Sequence, residues 1–213
     1  MKKKPAPTSV TRRILNYLMV ISAIIVLAGV LLAPVGNSLA LQAREGAACS
    51  VARQIGQLLF SYSVDHDGHY PEGKTSTEVF QKLLDGKYAD DPVIFYIAMP
   101  GKIPPQGNRL KAENVGWDLP YPIDPSVPDN LPVVFMTGYK ITYQAGAKAI
   151  LVDQSPRTWE QWWNGPDIRK MFLAAFVKGN NAWIKRPDKD GSIPNFIPAD
   201  FDPKGKTYRQ LTP

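Results

Sequence analysis

Thirty consecutive residues, 14–43, contain no charged side chain, and this run limits what the chain can fold into more than any other feature. Its first part, 14–33, is almost entirely apolar, and about 20 such residues in a helix span a bilayer core of about 30 Å. Three lysines and two arginines precede the run within residues 1–13, with no acidic residue among them. The sequence therefore predicts a basic cytoplasmic leader over 1–13 and a transmembrane helix over 14–35.

The direction of a membrane helix follows from the basic residues beside it, which stay in the cytoplasm. The leader would therefore lie inside the cell, and the chain after about residue 36 would be exported. A cleaved signal peptide is the alternative, with Ser38-Leu39-Ala40 as its small-residue cleavage site. The apolar run is longer than the roughly 7–15 residues typical of signal peptides, so an uncleaved anchor is the favoured interpretation.

The charge outside the leader gives no sign of a nucleic-acid partner. The whole chain has a net charge of +6, from 25 basic and 19 acidic residues. Five of the basic residues lie in the leader, so the rest of the chain has 20 basic residues against 19 acidic ones and a net charge of +1. A basic surface of the kind that binds nucleic acid is therefore not expected.

The residue types that most often carry catalysis and metal binding are scarce. The chain has one cysteine and two histidines, too few for a thiolate or histidine metal centre. It also lacks the G-x-S-x-G, H-E-x-x-H and phosphate-binding glycine motifs. We therefore predict a protein that is not an enzyme and has no catalytic residue. A periplasmic enzyme whose pocket perturbs titratable groups is the remaining alternative.

Helical periodicity resumes after the apolar run, over a predicted extramembrane helix and turn at 36–70. Its apolar stripe is Val51, Ile55, Leu58, Leu59 and Tyr62. Thr75 and Glu78 fit a capping box that opens a short second helix, which Gly86 closes. Eight prolines within 100–132 indicate a loop.

Short β-type runs follow at 93–97, 133–136, 139–143 and 149–152, and residues 178–181 form a hairpin signal between 172–177 and 182–184. The chain therefore divides into a predicted α+β head over 71–185 and a proline-rich C-terminal tail over 186–213. The expected fold class is α+β, with a long N-terminal membrane-spanning helix that continues into a small head of a short helix and an antiparallel sheet.

Two neighbouring segments carry a resemblance to a known family. They are Ala48-Cys49-Ser50-x-x-Arg53-Gln54-Ile55-Gly56 and Tyr62-x-x-Asp65-x-Asp67-Gly68-x-Tyr70-Pro71. After a basic leader and an apolar helix, this order resembles the type II secretion pseudopilins, which are type IV pilin-like proteins, in particular those of planctomycetes and verrucomicrobia. The resemblance implies a structural or assembly component of a type II secretion or pilus-like apparatus. Its place would be the bacterial inner membrane, as a single-pass protein with a cytoplasmic N-terminus and a periplasmic C-terminal domain. Its partners would be the membrane and other pilin-like subunits or secretion-apparatus proteins.

The N-terminal processing motif of that family is degenerate in this chain. Tyr17 stands where pilins carry an acidic residue, and Arg12 and Arg13 occupy the place of the glycine–phenylalanine cleavage junction. These departures favour the alternative function, a membrane-anchored periplasmic binding module on a pilin-like scaffold that does not enter a filament. Its recognition surface would include the tryptophans at helical spacing, Trp159, Trp162 and Trp163, although core packing of a helix on a sheet is the favoured interpretation of that spacing.

The pilin-like interpretation predicts that the membrane helix packs against other subunits. The residues expected to carry this packing lie on one face of the helix, namely Tyr17, Ile21, Ile24, Ala28 and Leu31.

Two D-x-D-G segments resemble half of a calcium loop, which needs oxygen ligands at alternating positions and a glycine for the turn. The candidate ligands are Asp65 and Asp67 in one segment and Asp188 and Asp190 in the other. Neither segment has a glutamate at the closing position of the loop, so a simple turn is the competing interpretation. Calcium is the one cofactor that the sequence offers.

Overall fold

The first helix, α1, covers Ser9–Asp65 and is shared between two compact units, Met1–Arg44 and Glu45–Pro213. The computed structural model describes residues 9–123, 128–153 and 167–213, with the backbone alone for residues 9, 11 and 29–37. Every other described helix and strand lies in the second unit.

The part of α1 in the first unit exposes large apolar side chains around its whole circumference. Twelve of them lie between Val10 and Leu27, and consecutive residues such as 17–21 are all exposed. Within the described part of the chain, no helix combines the length and the apolar character that crossing a membrane requires.

That finding corrects three predictions. The membrane-spanning helix over 14–35 is wrong, and so is the location as a single-pass inner-membrane protein with a cytoplasmic N-terminus and a periplasmic C-terminal domain. The expected fold class is therefore also wrong in the element that defined it. What the structure has instead is a long α1 that ends in a second unit of antiparallel sheets and short helices.

The second part of α1 packs one face against the rest of its unit. Ala48, Ala52, Ile55 and Leu59 are buried, and their spacing of three and four residues places them on one side of the helix. Gly56 lies on the same side, directly over the ring of Phe176. The buried face is therefore narrower than the predicted stripe, because Val51, Leu58 and Tyr62 are only half-buried at its edges.

A second helix, α2, covers Ser76–Asp85 and has the cap that the sequence predicts. The Thr75 hydroxyl accepts from the Glu78 amide (3.2 Å), and the Glu78 carboxylate accepts from the Lys74 amide (2.7 Å). Buried Val79, Phe80 and Leu83 form its inner face. The Phe80 ring stacks on Phe95 with centroids 4.6 Å apart, which fixes α2 against the 3-10 turn Pro92–Phe95.

Two antiparallel sheets make up the rest of the second unit, as far as it is described. The five-stranded sheet has the order β6-β5-β2-β1-β8, and the three-stranded sheet has the order β3-β4-β7. The strands are β1 (Trp117–Tyr121), β2 (Pro132–Met136), β3 (Tyr139–Ile141), β4 (Ala149–Leu151), β5 (Leu173–Val177), β6 (Asn181–Lys185), β7 (Ser192–Ile193) and β8 (Arg209–Leu211).

The core lies where side chains from both sheets meet, and the predicted C-terminal tail supplies part of it. Ile193, Phe196, Ile197 and Phe201 are buried among residues of β2 to β5. Residues 186–213 also form β7 and β8. The segment that the sequence analysis set apart as a tail is therefore folded into the second unit.

Candidate functional site

A cleft of about 350 Å³ opens in the second unit beside the end of α1. One wall is the segment 67–72, and the other is the segment 119–123 at the end of β1. Buried Val79, Leu119 and Leu211 form its apolar floor, while charged Asp67, Glu72 and Lys206 also line it. This volume falls within the range of about 300–1,000 Å³ that is usual for small-molecule sites.

The first wall is the D-x-D-G-x-Y-P turn that the sequence singles out. The chain reverses after α1 because Asp67 and Gly68 take positive φ angles of 52° and 84°, and glycine adopts such angles without a Cβ penalty. The amide of Gly68 donates to the carbonyl of Ser63 (2.8 Å), which closes the end of the helix. His69 and Tyr70 then follow along the cleft.

The predicted pair of calcium ligands in this turn is divided between two environments. Asp65 accepts a hydrogen bond from the Tyr88 hydroxyl (2.9 Å), whereas Asp67 lines the cleft. Tyr62 and His66 complete the end of α1 as a parallel stack with centroids 3.8 Å apart. The carboxylate of Asp65 therefore holds the segment around Tyr88 against the helix end.

The second wall joins β1 to β8, the C-terminal strand. Leu119 pairs with Leu211, and Tyr121 pairs with Arg209. The Arg209 guanidinium lies 5.1 Å from the centroid of the Tyr121 ring, a distance at which a cation is attracted to an aromatic face. Tyr121 precedes Pro122 through a cis peptide bond.

Beneath this wall lies Asp118, a carboxylate with no exposed surface. Its Oδ2 accepts from Gln210 Nε2 (2.6 Å), and the Thr137 side chain also hydrogen-bonds to it. Its Oδ1 is buried without a hydrogen-bond partner among the described residues. Burial raises the pKa of Asp118 to about 7, against the hydrogen bonds and the Lys102 charge, which lower it.

Two other titratable groups share the surroundings of Asp118. Burial lowers the pKa of Lys102, while attraction to Asp118 opposes that change; its Nζ donates to the Ala112 carbonyl (2.7 Å). Burial raises the pKa of Tyr143 well above its ordinary value of 10, and the charge of Asp118 adds to this shift. The Tyr143 hydroxyl is also buried without a partner in the described structure.

The other predicted calcium pair belongs to the turn before β7. Both carboxylate oxygens of Asp190 accept from Ser192, one from the amide and one from the hydroxyl, each at 3.0 Å. These bonds lower the pKa of Asp190. The amide of Asp188 donates to the Ser192 carbonyl (2.8 Å), so this segment is a hydrogen-bonded turn. Among the described residues, no three His, Cys, Asp or Glu side chains gather as a metal site would need, and calcium stays a prediction.

The predicted packing face of α1 is exposed wherever the structure describes its side chains. Tyr17, Ile21, Ile24 and Ala28 are all exposed, and the side chain of Leu31 lies outside the described part. The predicted tryptophan surface, Trp159, Trp162 and Trp163, lies entirely outside the described residues.

Sequence reasoning did not find Asp118, Gln210 or Tyr121. The prolines of 100–132 predicted a loop where β1 lies, and Gln210 was assigned to a tail. The one available signal is the placement of a lone acid between Trp117 and Leu119, since charged residues are seldom surrounded by large apolar ones unless they are paired.

Comparison with known proteins finds no similar protein. No protein-family model, no curated protein and no solved structure matches the chain. The resemblance to pilin-like proteins therefore stays a prediction.

Proposed function

We propose that the chain is a structural or assembly subunit of a type II secretion or pilus-like apparatus, and that it assembles through α1. The observation that supports this most directly is the exposure of twelve large apolar side chains between Val10 and Leu27. A helix that is apolar on all sides is normally covered by other elements. Helices of neighbouring subunits supply such a cover, with side chains from one helix in the grooves of the next.

The predicted packing face gives the proposal a geometric form. Tyr17, Ile21, Ile24 and Ala28 lie within about 60° of one another on a helix that turns 100° per residue. Met19 and Val26 lie on the opposite side and are just as exposed. A specific assembly would bury the first set more closely than the second, whereas unspecific aggregation would not distinguish them.

Single-cysteine crosslinking of the full chain tests this difference. In a Cys49→Ser background, Ile21→Cys and Ile24→Cys are compared with Met19→Cys and Val26→Cys, each treated with a short bifunctional maleimide. Since each chain then has one thiol, we expect crosslinked dimers from positions 21 and 24 and mainly monomer from positions 19 and 26. Equal yields at all four positions, or monomer throughout, would contradict the proposed assembly.

A second candidate function, a binding module, is supported by the cleft. Its volume, apolar floor and charged rim are those of a ligand site. Tyr70 and Tyr121 line it together with Pro71, Pro120 and Pro122, and aromatic grooves of this kind bind extended proline-containing peptides. The ligand class that we propose for this function is therefore a proline-rich peptide segment.

Titration with a synthetic proline-rich peptide tests this second function. The binding isotherm of the full chain is compared with those of Tyr121→Ala, which removes a ring from the wall, and Tyr208→Phe, a control on a tyrosine that does not line the cleft. Binding that Tyr121→Ala abolishes and the control retains would support the module. No binding by the wild type, or equal binding by both variants, would oppose it.

A further inference from the structure

Gln210 connects the two sheets through a single side chain. Its Nε2 donates to Asp118 on β1 and to the Tyr139 carbonyl on β3, both at 2.6 Å. Its Oε1 accepts from the Ile141 amide (3.1 Å). Both N–H donors of the Gln210 amide and its oxygen are thus used to hold β8 against both sheets.

Besides Gln210, β8 is held by its pairing with β1, by the Arg209–Tyr121 contact and by the buried side chain of Leu211. Directly after β8, the Thr212 carbonyl accepts from the Ser76 amide (3.1 Å). Among the described strands, β8 has three residues, pairs with β1 alone and is the outermost strand of its sheet. Its partner Pro120 has no amide to donate to Gln210. The particular contribution of Gln210 is that its side chain ties β8 to β3 of the other sheet and to the buried Asp118.

The protonation state of Asp118 determines how favourable the attachment of β8 is. Asp118 has no exposed surface, and its Oδ1 has no hydrogen-bond partner among the described residues. The ionised carboxylate therefore loses its hydration, and hydrogen bonds from Gln210 and Thr137 offset only part of that loss. Detachment of β8 would remove Gln210 and admit water to the carboxylate. The closed arrangement is thus favoured by neutral Asp118, and the open arrangement by the ionised form.

We propose that Asp118 and Gln210 form a pH-controlled clamp, which holds β8 closed while Asp118 is protonated and releases the strand when Asp118 ionises. Leu119 and Leu211 follow Asp118 and Gln210 directly in their strands and line the cleft, so release also opens the cleft floor. The clamp does not rest on assembly through α1.

The charged and titratable groups around Asp118 set the limits of this behaviour. Lys102 is the cation that acts on Asp118, and it favours the ionised form inside the closed clamp. Tyr143 stays neutral across the working range because burial raises its pKa. Thr137 and Gln210 carry no charge. In the closed arrangement, ionisation of Asp118 is therefore disfavoured mainly because the buried carboxylate is cut off from water.

Hydrogen exchange of the full chain, read by mass spectrometry between pH 5 and pH 7, tests the clamp. After correction for the intrinsic pH dependence of exchange, we expect protection of the peptide 205–213 to fall by up to tenfold per pH unit, because one unit of pKa difference corresponds to a tenfold change in an equilibrium constant. Protection of the peptide 172–185, which covers β5 and β6, should stay constant.

Three variants make the result decisive. Asp118→Asn should keep 205–213 protected at every pH, and Gln210→Ala should leave it unprotected at every pH. Asp200→Asn removes an exposed carboxylate and should behave as the wild type. Protection of 205–213 that is constant with pH in the wild type, unchanged pH dependence in Asp118→Asn, or a parallel loss in 172–185 would each overturn the clamp.

Discussion

The close approach of α1 to β5 at Gly56 allows one substitution to be worked out in detail. A Cβ atom at this position would lie 2.1 Å from both Cδ1 and Cε1 of Phe176. Carbon atoms pack at about 3.5–4.0 Å, so the helix or the ring would have to move by roughly 1.5 Å. Phe176 is only 4% exposed, so a shift of its ring would disturb the side chains packed around it.

The expected cost of Gly56→Ala follows from two opposing effects. Alanine in a helix gains about 1 kcal/mol over glycine, while overpacking of a core costs about 1–3 kcal/mol. Because the clash involves two ring carbons of a buried side chain, the upper part of that range applies. We expect the free energy of unfolding to fall by about 2 kcal/mol.

Gly46 provides the matched control within the same helix. A Cβ atom there would meet nothing within 4 Å, so Gly46→Ala should raise the free energy of unfolding by about 0.5–1 kcal/mol. Urea unfolding of the full chain, followed by tryptophan fluorescence, measures both variants.

A double mutant then tests whether the destabilisation by Gly56→Ala comes from the clash with the Phe176 ring. In a Phe176→Leu background, the smaller side chain leaves room for the new methyl group, and Gly56→Ala should cost at least about 1 kcal/mol less than in the wild type. If Gly56→Ala stabilises the chain as Gly46→Ala does, or costs the same in both backgrounds, the packing argument is refuted.

Three further predictions concern single side chains. Burial raises the pKa of Asp118 to about 7 from 3.8, so its favourable contribution exists at low pH and is lost as the pH rises. The stability of the wild type relative to Asp118→Asn should therefore fall by about 3 kcal/mol between pH 4 and pH 7 in urea titrations. Thr75→Ala removes the cap of α2 and should lower the free energy of unfolding by about 1 kcal/mol, whereas Thr75→Ser should cost little in the same assay. Ser192→Ala removes one of the bonds that lower the pKa of Asp190, so the carboxylate resonance of Asp190 in an NMR titration should move toward a higher midpoint; an unchanged midpoint would contradict the turn geometry.

The sequence is sufficient to predict those helices and turns whose hydrogen bonds join residues close together in the chain. The cap at Thr75 and the apolar spacing of Val79, Phe80 and Leu83 fix both the start and the inner face of α2. The hairpin between β5 and β6 follows from the turn residues at 178–181, and Asn180 takes the positive φ that such a turn needs. These structures form where the sequence predicts them because their bonds lie within a few residues.

Distant pairing is what the sequence could not predict. Prolines argued against a strand at 117–121, yet β1 runs through Pro120, which lies opposite Gln210 in the pairing with β8. The run at 93–97 looked like a strand, but Asp91 caps a 3-10 turn there by accepting from the Val93 amide (2.9 Å). The cleft also depends on a meeting between the turn at 67–72 and β1, two segments about 50 residues apart.

The residues that carry the family resemblance have structural reasons of their own in this chain. Gly56 lets α1 approach Phe176, Asp67 and Gly68 reverse the chain after the helix, and Pro71 is buried beside the cleft. A motif that packing and turn geometry explain bears on the fold more than on the function. The exposed face of α1 near Ile21 and Ile24 has no such explanation within the chain, because nothing in the described structure covers it. Crosslinking at those two positions is therefore the experiment that separates a shared scaffold from a shared role in assembly.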